Sequence, residues 1–514
     1  MKPFLLLIAS SILSAQGILP GIFYKDTAPA SGLATPTFSP GTGTYTAHQS
    51  VTISYPGGST VCYRTDGVTP TAATPGTCDA PATTYSGAIA VTASGVTVIT
   101  AIATEVGYAN SSVGTATLTL NLTMITKLMI PGIASGNTCS YNVMAGGNTC
   151  YGAESIMPTA GYFRKLYVKL ASDPDSGGSS KGYSYTLYQN DATTAVTVSV
   201  LSSTSGFQAA YTGSDLHFVK GDLIKLRIAG ISSPANSPEF SAIIEFQSGT
   251  ANEAILLGGA LALDTTDATF LPVSGAVAAN VATENHAFTM FPMAATITGM
   301  EIRVSGAVMG TGNSRTFTIR QTHAGSTSPV GTPIVYGAAA NGVISSAESI
   351  TVAAGDLIDI ESNVTSTPPT GVTFYVGLTY APTVNGQFLI PLSNSTTQLS
   401  TSGTNYAGIS SMLGPSATET NVQNVVTSDF TLQGWTAWLD ASPGSGTYTP
   451  SLRRNGADAG TNYATAMSTQ GPTISASTSY SIVANYDVLD TLITPASSPT
   501  AGRITMSYIG YIAP

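Results

Sequence analysis

Apolar and polar residues alternate along most of this chain, and one order of strands occurs three times. Each copy begins with a short apolar strand, continues with an alternating strand and a more polar strand, and ends with an aromatic strand. The copies lie about 130 residues apart, which is the size of a whole domain and too long for a solenoid unit. The sequence therefore predicts three tandem domains, with opening strands at 127–131, 254–258 and 387–391.

The alternation indicates antiparallel sheets with one buried face. Apolar and polar side chains change sides at successive positions in 163–170 and 316–320, as in a sandwich with one face exposed to water. About eight strands in a domain of this size fit a jelly roll. We therefore expect jelly-roll repeats 1, 2 and 3 at 123–249, 250–383 and 384–514.

A Gly-Asp turn leads into a strand in two of the copies, at 220–227 and 354–360. Glycine there supplies a positive φ, and the aspartate can cap the turn. The third copy is expected to lack this turn and to carry Ser-Tyr-Ser-Ile-Val-Ala at 479–484 in its place. A catalytic or metal-binding role shared by Asp222 and Asp356 is therefore not expected.

Composition favours an all-β fold and excludes one class of partner. Only 9% of the residues are charged, against about 25% in typical globular proteins. Glycine (53 residues) and proline (29 residues) interrupt many short runs rich in Val, Ile, Thr and Tyr, which is typical of strands and turns. The net charge of −10 argues against nucleic-acid binding, because that requires clustered Lys and Arg.

The first 31 residues form a separate segment. Residues 1–17 have a positive start, a short apolar run and small residues at the end, which is typical of a secretory signal peptide and too short for a spanning helix. Similar apolar starts are retained in many tailed-phage structural proteins, where they anchor the chain to the particle. Both interpretations, a cleaved signal and a retained anchor, stay open.

Residues 32–122 carry a family resemblance. The motif Tyr-Arg-Thr-Asp-Gly-Val-Thr-Pro at 63–70 is similar to the Tyr-Thr-Thr-Asp-Gly-Ser-Thr-Pro of the chitobiase/β-hexosaminidase C-terminal-type domain. Further matches lie on both sides of it, in the family's order, at 36–45, 51–54, 84–87, 98–103 and 107–111. The resemblance implies a small immunoglobulin-like β-sandwich without catalytic residues of its own. Asp66 is interpreted as a turn residue that hydrogen-bonds its own backbone.

The three repeats resemble, at the level of pattern, the TNF/C1q-like jelly-roll modules of phage fibre, tail and decoration proteins. This resemblance rests on the second and third strands, the Ala-Gly-Asp-Leu-Ile turn at 354–358 and the closing aromatic strands. It implies assembly into trimers through the apolar face of the closing strand.

The four cysteines form two local pairs, Cys62 with Cys78 and Cys139 with Cys150. Local pairing favours two disulfides, each stabilising the fold by roughly 3 kcal/mol. Free buried thiols and a metal site are the alternatives, although the sequence has no Cys-x-x-Cys spacing typical of zinc. Disulfides would indicate an oxidising environment.

Other chemistry-bearing residues are sparse. The histidines are far apart and are interpreted as surface or strand residues; they are His48, His217, His286 and His323. Two aspartate pairs can hold a weakly bound Ca²⁺ or simply lie in solvated loops; they are Asp173 with Asp175 and Asp264 with Asp267. No catalytic, cofactor-binding or metal-binding residue is predicted.

Two tryptophans are the remaining binding candidate. Trp435 and Trp438 flank Thr436 and Ala437, and we expect both rings to face one side of a strand. Such rings form a glycan-stacking platform or, alternatively, the core of repeat 3.

These observations favour a non-enzymatic virion structural protein of a tailed phage with a fibre, receptor-binding or capsid-decorating role. The expected partners are other virion proteins through the N-terminus, a host-surface glycan or protein, and further copies of the chain in a trimer. The alternative is a secreted or cell-surface bacterial adhesin or glycan-binding protein.

Overall fold

The computed structural model is all-β, as the sequence predicts. It describes residues 32–45, 49–91, 95–120, 123–133, 139–141, 154–211, 213–260, 269–277, 283–305, 312–337, 342–365, 373–392, 397–410, 415–427, 430–459, 466–474, 480–482 and 485–512. These residues form strands and three short 3₁₀ helices. They divide into two compact units, which separate close to residue 120.

The first unit is a sandwich of a three-stranded and a five-stranded sheet. Its strands are β1 (Thr37–Ser39), β2 (Gly43–Tyr45), β3 (Gln49–Ser54), β4 (Thr60–Arg64), β5 (Thr83–Thr84), β6 (Ile89–Val91), β7 (Gly95–Thr104) and β8 (Gly114–Leu120). The sheet orders are β1-β3-β6 and β2-β8-β7-β4-β5. In strand β7, all residues from Ile99 onward are buried.

The second unit contains all three repeats. Repeat 1 consists of β9 (Thr123–Ile133), β10 (Cys139–Tyr141), β11 (Ser155–Ile156), β12 (Gly161–Leu170), β13 (Gly182–Gln189), β14 (Ala192–Leu201), a 3₁₀ helix (Ser205–Phe207), β15 (Gln208–Tyr211), β16 (Leu216–Phe218), β17 (Leu223–Ile231) and β18 (Glu239–Ala251).

Repeat 2 consists of β19 (Ala254–Ala260), β20 (Thr269–Pro272), β21 (Gly275–Val277), a 3₁₀ helix (Glu284–His286), β22 (Thr289–Met290), β23 (Ala295–Ser305), β24 (Arg315–His323), β25 (Ser326–Tyr336), β26 (Gly342–Val352), β27 (Leu357–Val364) and β28 (Thr373–Pro382).

Repeat 3 consists of β29 (Gln387–Leu392), β30 (Asn405–Gly408), a 3₁₀ helix (Glu419–Asn421), β31 (Asn424–Val425), β32 (Thr431–Leu439), β33 (Thr447–Arg454), β34 (Ala457–Asp458), β35 (Gly471–Ile474), β36 (Tyr480–Ser481), β37 (Val488–Ala496) and β38 (Ile504–Tyr511).

Each repeat is a sandwich of two sheets with the same nested pairing. In repeat 1 the first strand β9 pairs with the last strand β18, β11 pairs with β17, β12 pairs with β15 and β16, and β13 pairs with β14. The corresponding sheets are β19-β28-β23-β26 and β27-β24-β25 in repeat 2, and β29-β38-β32-β35 and β37-β33-β34 in repeat 3. Pairing of first with last and second with second-last strands is the order of a jelly roll.

A β-bulge at one position fixes the correspondence between the repeats. The second long strand shifts register between Phe163 and Lys165, between Ile297 and Gly299, and between Leu432 and Gly434. In each repeat the shift occurs against the closing strand of the same sheet. Residues at equal distance from the bulge are therefore equivalent in the three sandwiches.

The three sandwiches close into a ring within one chain. Strand β11 of repeat 1 contacts β28 of repeat 2, β22 of repeat 2 contacts β38 of repeat 3, and β31 of repeat 3 contacts β18 of repeat 1. The approach is close: a Cβ added to Gly377 in β28 would lie 2.7 Å from the carbonyl oxygen of Ile156 in β11. One continuous group of buried apolar side chains runs through all three repeats.

Repeat 3 was expected to lack the Gly-Asp turn of the other two repeats and to carry residues 479–484 in its place. That expectation was wrong, because repeat 3 has a turn of the same kind a few residues later. Its turn is Asn485-Tyr486-Asp487, and Tyr486 has a φ of 66°, where Gly221 and Gly355 have 91° and 94°. The Tyr486 amide donates to the Val426 carbonyl at 2.9 Å. The equivalent amides of the other repeats make the same bond, from Gly221 to Met157 and from Gly355 to Phe291. The motif is hidden because a tyrosine occupies the glycine position.

Candidate functional site

The tryptophan pair does not form a platform. Trp435 is 2% exposed and belongs to the continuous core of the ring. Trp438 is 8% exposed and packs in a separate cluster with Phe288, Met290 and Leu357 of repeat 2. The expectation that both rings face one side was wrong, because residues three apart in a strand point to opposite faces.

The expected disulfide between Cys62 and Cys78 is present in the first unit. Cys62 is fully buried and packs with Ala72 and Ile102. The expected Cys139–Cys150 pair lies outside the described residues, since Cys150 and the side chain of Cys139 are not described.

Aspartates of the three turns are engaged in local hydrogen bonds. The Asp222 carboxylate accepts from Asn190 Nδ2 at 2.7 Å, from Gln189 Nε2 at 2.6 Å and from the Val219 amide at 2.8 Å. Asp356 is held in the same way by Gln321, His323 and the Ala353 amide. Asp487 is held by Arg454 and Asn455. These carboxylates fix their turns, as the sequence predicts for Asp222 and Asp356.

The first aspartate pair is also part of a loop network. Asp175 Oδ2 accepts from Ser179 Oγ at 2.9 Å, and Oδ1 accepts from the Ala235 amide at 3.1 Å. The hydrogen bond from Ser179 lowers the pKa of Asp175. Asp264 and Asp267 lie outside the described residues. In the part of the chain that the structure describes, no three His, Cys, Asp or Glu side chains converge as metal ligands.

Two of the histidines have described side-chain contacts. The His217 ring lies 5.1 Å from that of Tyr162, and His323 Nδ1 lies 2.7 Å from Asp356 Oδ1. His48 and the side chain of His286 lie outside the described residues.

The contacts between repeats, which we call seams, differ at one equivalent position. The position lies four residues after the bulge in the second long strand of each repeat. It is Lys169 in repeat 1, Arg303 in repeat 2 and Trp438 in repeat 3. The neighbouring repeat supplies the residue just before its own contact strand. This residue is Gln423 before β31 at the Lys169 seam, Glu154 before β11 at the Arg303 seam and Phe288 before β22 at the Trp438 seam. Trp438 and Phe288 fill the seam between repeats 2 and 3 with aromatic rings.

A cleft of about 90 Å³ lies at the seam between repeats 3 and 1, where the equivalent residues are Lys169 and Gln423. Leu170, Phe240 and Val488 give it an apolar lining. An open groove of about 550 Å³ shares Lys169, Thr420, Gln423 and Val488 with the cleft.

Hydrogen bonds across this seam hold repeat 1 against repeat 3. The Val425 amide donates to Ser241 Oγ at 2.8 Å, and Lys169 Nζ donates to the Tyr486 carbonyl at 2.8 Å. The Tyr167 and Tyr486 rings meet edge to face with centroids 5.8 Å apart. Burial lowers the pKa of Lys169, and the charge of Asp487 opposes that shift.

A buried carboxylate lies behind the cleft. Asp490 Oδ2 accepts from Gln423 Nε2 at 3.4 Å, and Asp490 Oδ1 lies 4.0 Å from Arg453 Nε. Arg453 Nε also donates to Glu419 at 2.7 Å. Burial, together with the charge of Glu419, raises the pKa of Asp490 to about 7.

The cleft leaves no local signal in the sequence. Its residues come from repeats 1 and 3, at 169–171 and 239–241 and at 420, 421, 423 and 488, and each is an ordinary polar or apolar residue in its own strand or turn. Aligning the repeats on the bulge would have shown Lys169 and Gln423 where Trp438 and Phe288 stand.

Within the described ranges, no helix has the length and apolar character needed to cross a membrane. No curated protein matches this chain. Residues 40–115 match the family model of the chitobiase/beta-hexosaminidase C-terminal domain, which identifies the first unit as the immunoglobulin-like module that its motif predicts.

Proposed function

We propose that this chain is a non-enzymatic structural protein of a tailed-phage particle that displays a compact attachment head. The ring of three jelly-roll sandwiches is the observation that carries the proposal, because each repeat contacts the next and all three share one continuous apolar core, as expected for a rigid display unit. The N-terminal segment and the immunoglobulin-like module connect this head to other virion proteins. The proposal covers fibre, receptor-binding and capsid-decorating positions on the particle.

Labelling of particles tests this function. An antibody raised against residues 120–514 is applied to purified phage particles and to host-cell fractions, and binding is located by immunogold electron microscopy. Label on the exterior of the particle is the expected result. Label confined to the cell envelope or the culture medium would overturn the proposal.

A secreted or cell-surface adhesin is the second candidate, and the Cys62–Cys78 disulfide favours it equally, because disulfides form in oxidising compartments. The intact mass separates the two. The retained N-terminus gives 52.2 kDa, whereas signal cleavage removes roughly 1.5 kDa, the mass of a short secretory signal.

The expected trimer takes a different form in this proposal. The closing strands β18, β28 and β38 already pack against neighbouring repeats of the same chain. We therefore expect one chain to replace a trimer of single modules and the head to be monomeric. Light scattering coupled to size-exclusion chromatography measures this, and a stable species of three chains would restore the original expectation.

A further inference from the structure

The three seams of the ring offer an internal comparison. At the seam between repeats 2 and 3, the Trp438 and Phe288 rings lie edge to face and fill the space between the sandwiches. At the seam between repeats 3 and 1, Lys169 and Gln423 occupy the equivalent positions and line a cleft. The cleft therefore has polar side chains at the two positions where the seam between repeats 2 and 3 has aromatic rings.

The lining of the cleft combines two kinds of surface. Leu170, Phe240 and Val488 provide apolar contact, whereas Lys169, Gln423 and Thr420 provide hydrogen-bond donors and acceptors. Small-molecule sites typically pair apolar walls with a few convergent polar groups. A ligand with apolar C–H faces and hydroxyl groups that both donate and accept hydrogen bonds fits this lining.

Charge at the site favours a neutral ligand. Lys169 and Glu239 are the charged residues of the cleft lining and have opposite signs. In the adjoining groove, Glu419 is paired with Arg453 at 2.7 Å and Asp487 with Arg454 at 2.8 Å. The site therefore has no excess of positive or negative charge that would select an anion or a cation.

We propose that the seam between repeats 3 and 1 binds a neutral saccharide unit. The groove of about 550 Å³ lies in the usual size range of ligand sites, about 300–1,000 Å³, and accommodates the sugar ring. The cleft of about 90 Å³ receives one substituent of that ring, such as a hydroxymethyl or acetamido group. This inference names a ligand class for the proposed attachment head and rests on that function for its biological meaning.

Binding is measured on the full chain with free monosaccharides as probes. Glucose, galactose, N-acetylglucosamine and N-acetylgalactosamine are titrated to about 20 mM and followed by saturation-transfer difference NMR, a range that covers single-site affinities near 1 mM. At least one neutral sugar is expected to bind saturably. Failure of all four to bind the wild-type chain would overturn the inference, while the immunogold experiment on particles tests the attachment role independently.

Two variants locate the binding site. The double substitution Lys169→Trp with Gln423→Phe copies the filled seam and is expected to abolish binding. Thr420→Ala with Asn421→Ala removes two exposed polar side chains of the 3₁₀ helix that line the cleft. The change leaves the core intact and is expected to weaken binding about tenfold, since each lost hydrogen bond costs a factor of a few.

A matched control sets the baseline for these changes. Ser328→Ala with Thr332→Ala removes two exposed hydroxyls from β25 of repeat 2 and should leave the affinity unchanged. Unchanged affinity in the Thr420→Ala/Asn421→Ala variant, or an equal loss in the control, would place binding elsewhere and overturn the assignment. This readout remains decisive if the Lys169→Trp/Gln423→Phe variant does not fold.

Discussion

The Trp438 indole packs edge to face against the Phe288 ring, with centroids 5.3 Å apart and planes at 80°. The two residues belong to different repeats, so this contact joins separate sandwiches. Large aromatic side chains contribute most to burial at such contacts, and the edge-to-face arrangement adds about 0.5–1.5 kcal/mol beyond the buried area. The pair therefore helps to hold the ring closed.

Trp438→Ala is expected to lower the free energy of unfolding of the second unit by about 3–5 kcal/mol, the usual cost of truncating a buried tryptophan to alanine. Chemical denaturation followed by circular dichroism measures the change. Val335→Ala, at a strand residue of repeat 2 that is 53% exposed, is the control and should change the stability by less than about 0.5 kcal/mol. Equal stability of the Trp438 variant and wild type would contradict a structural role for the seam.

Particular residues show how far the sequence could predict this fold. Period-two alternation and the motif at 63–70 indicated the sandwiches and the immunoglobulin-like module, because both depend on local burial and turn chemistry. The turn around Tyr486 was missed because a bulky residue adopts the positive φ expected of glycine. Ring closure was missed because alternation shows which residues are buried and not which repeat covers them.

The buried carboxyl of Asp490 predicts a specific dependence of stability on pH. Its pKa rises from 3.8 to about 7 in the folded chain, so the folded state binds the proton more tightly than the unfolded state. Stability linked to this group is fully present below about pH 4 and is lost as the pH rises to about 7. The half-buried groups beside it that determine this behaviour are Glu419, Gln423 and Arg453.

Asp490→Asn should remove this dependence and make the chain roughly 2–4 kcal/mol more stable than wild type at pH 8, with little difference at pH 4. Unfolding by denaturant across that pH range measures it. Asp215→Asn, which alters a carboxylate that is 41% exposed, should leave the slope in place. A variant that is less stable than wild type at pH 8 would show that the ionised carboxylate is instead stabilising.

Removal of the Cys62–Cys78 bridge is expected to destabilise the first unit by about 3 kcal/mol, because the bridge closes a loop with a sequence separation of 16. Cys62→Ala with Cys78→Ala makes the change without placing a hydroxyl in the core. Hydrogen exchange of peptides covering β4 and β7 measures the loss of protection. A reductant should reproduce the loss of protection in wild type and should have no further effect on the double variant. If the reductant lowered the protection of β4 in the double variant as well, the bridge would not be the source of that protection.

The hydrogen bond from the Val425 amide to Ser241 Oγ shows a polar contact at the seam between repeats 3 and 1 whose contribution can be measured. Ser241 is buried and the bond is 2.8 Å long, so Ser241→Ala leaves a buried amide without its acceptor, at a cost of about 1–3 kcal/mol. Ser184→Ala is the matched control in the same repeat, because the Ser184 hydroxyl donates to a backbone carbonyl at 3.3 Å and its loss strands no buried amide. Amide exchange at Val425 should accelerate by about tenfold or more in the Ser241 variant alone, since about 1.4 kcal/mol corresponds to a factor of ten. Equal exchange rates at Val425 in the two variants would mean that apolar packing, and not this bond, closes the ring.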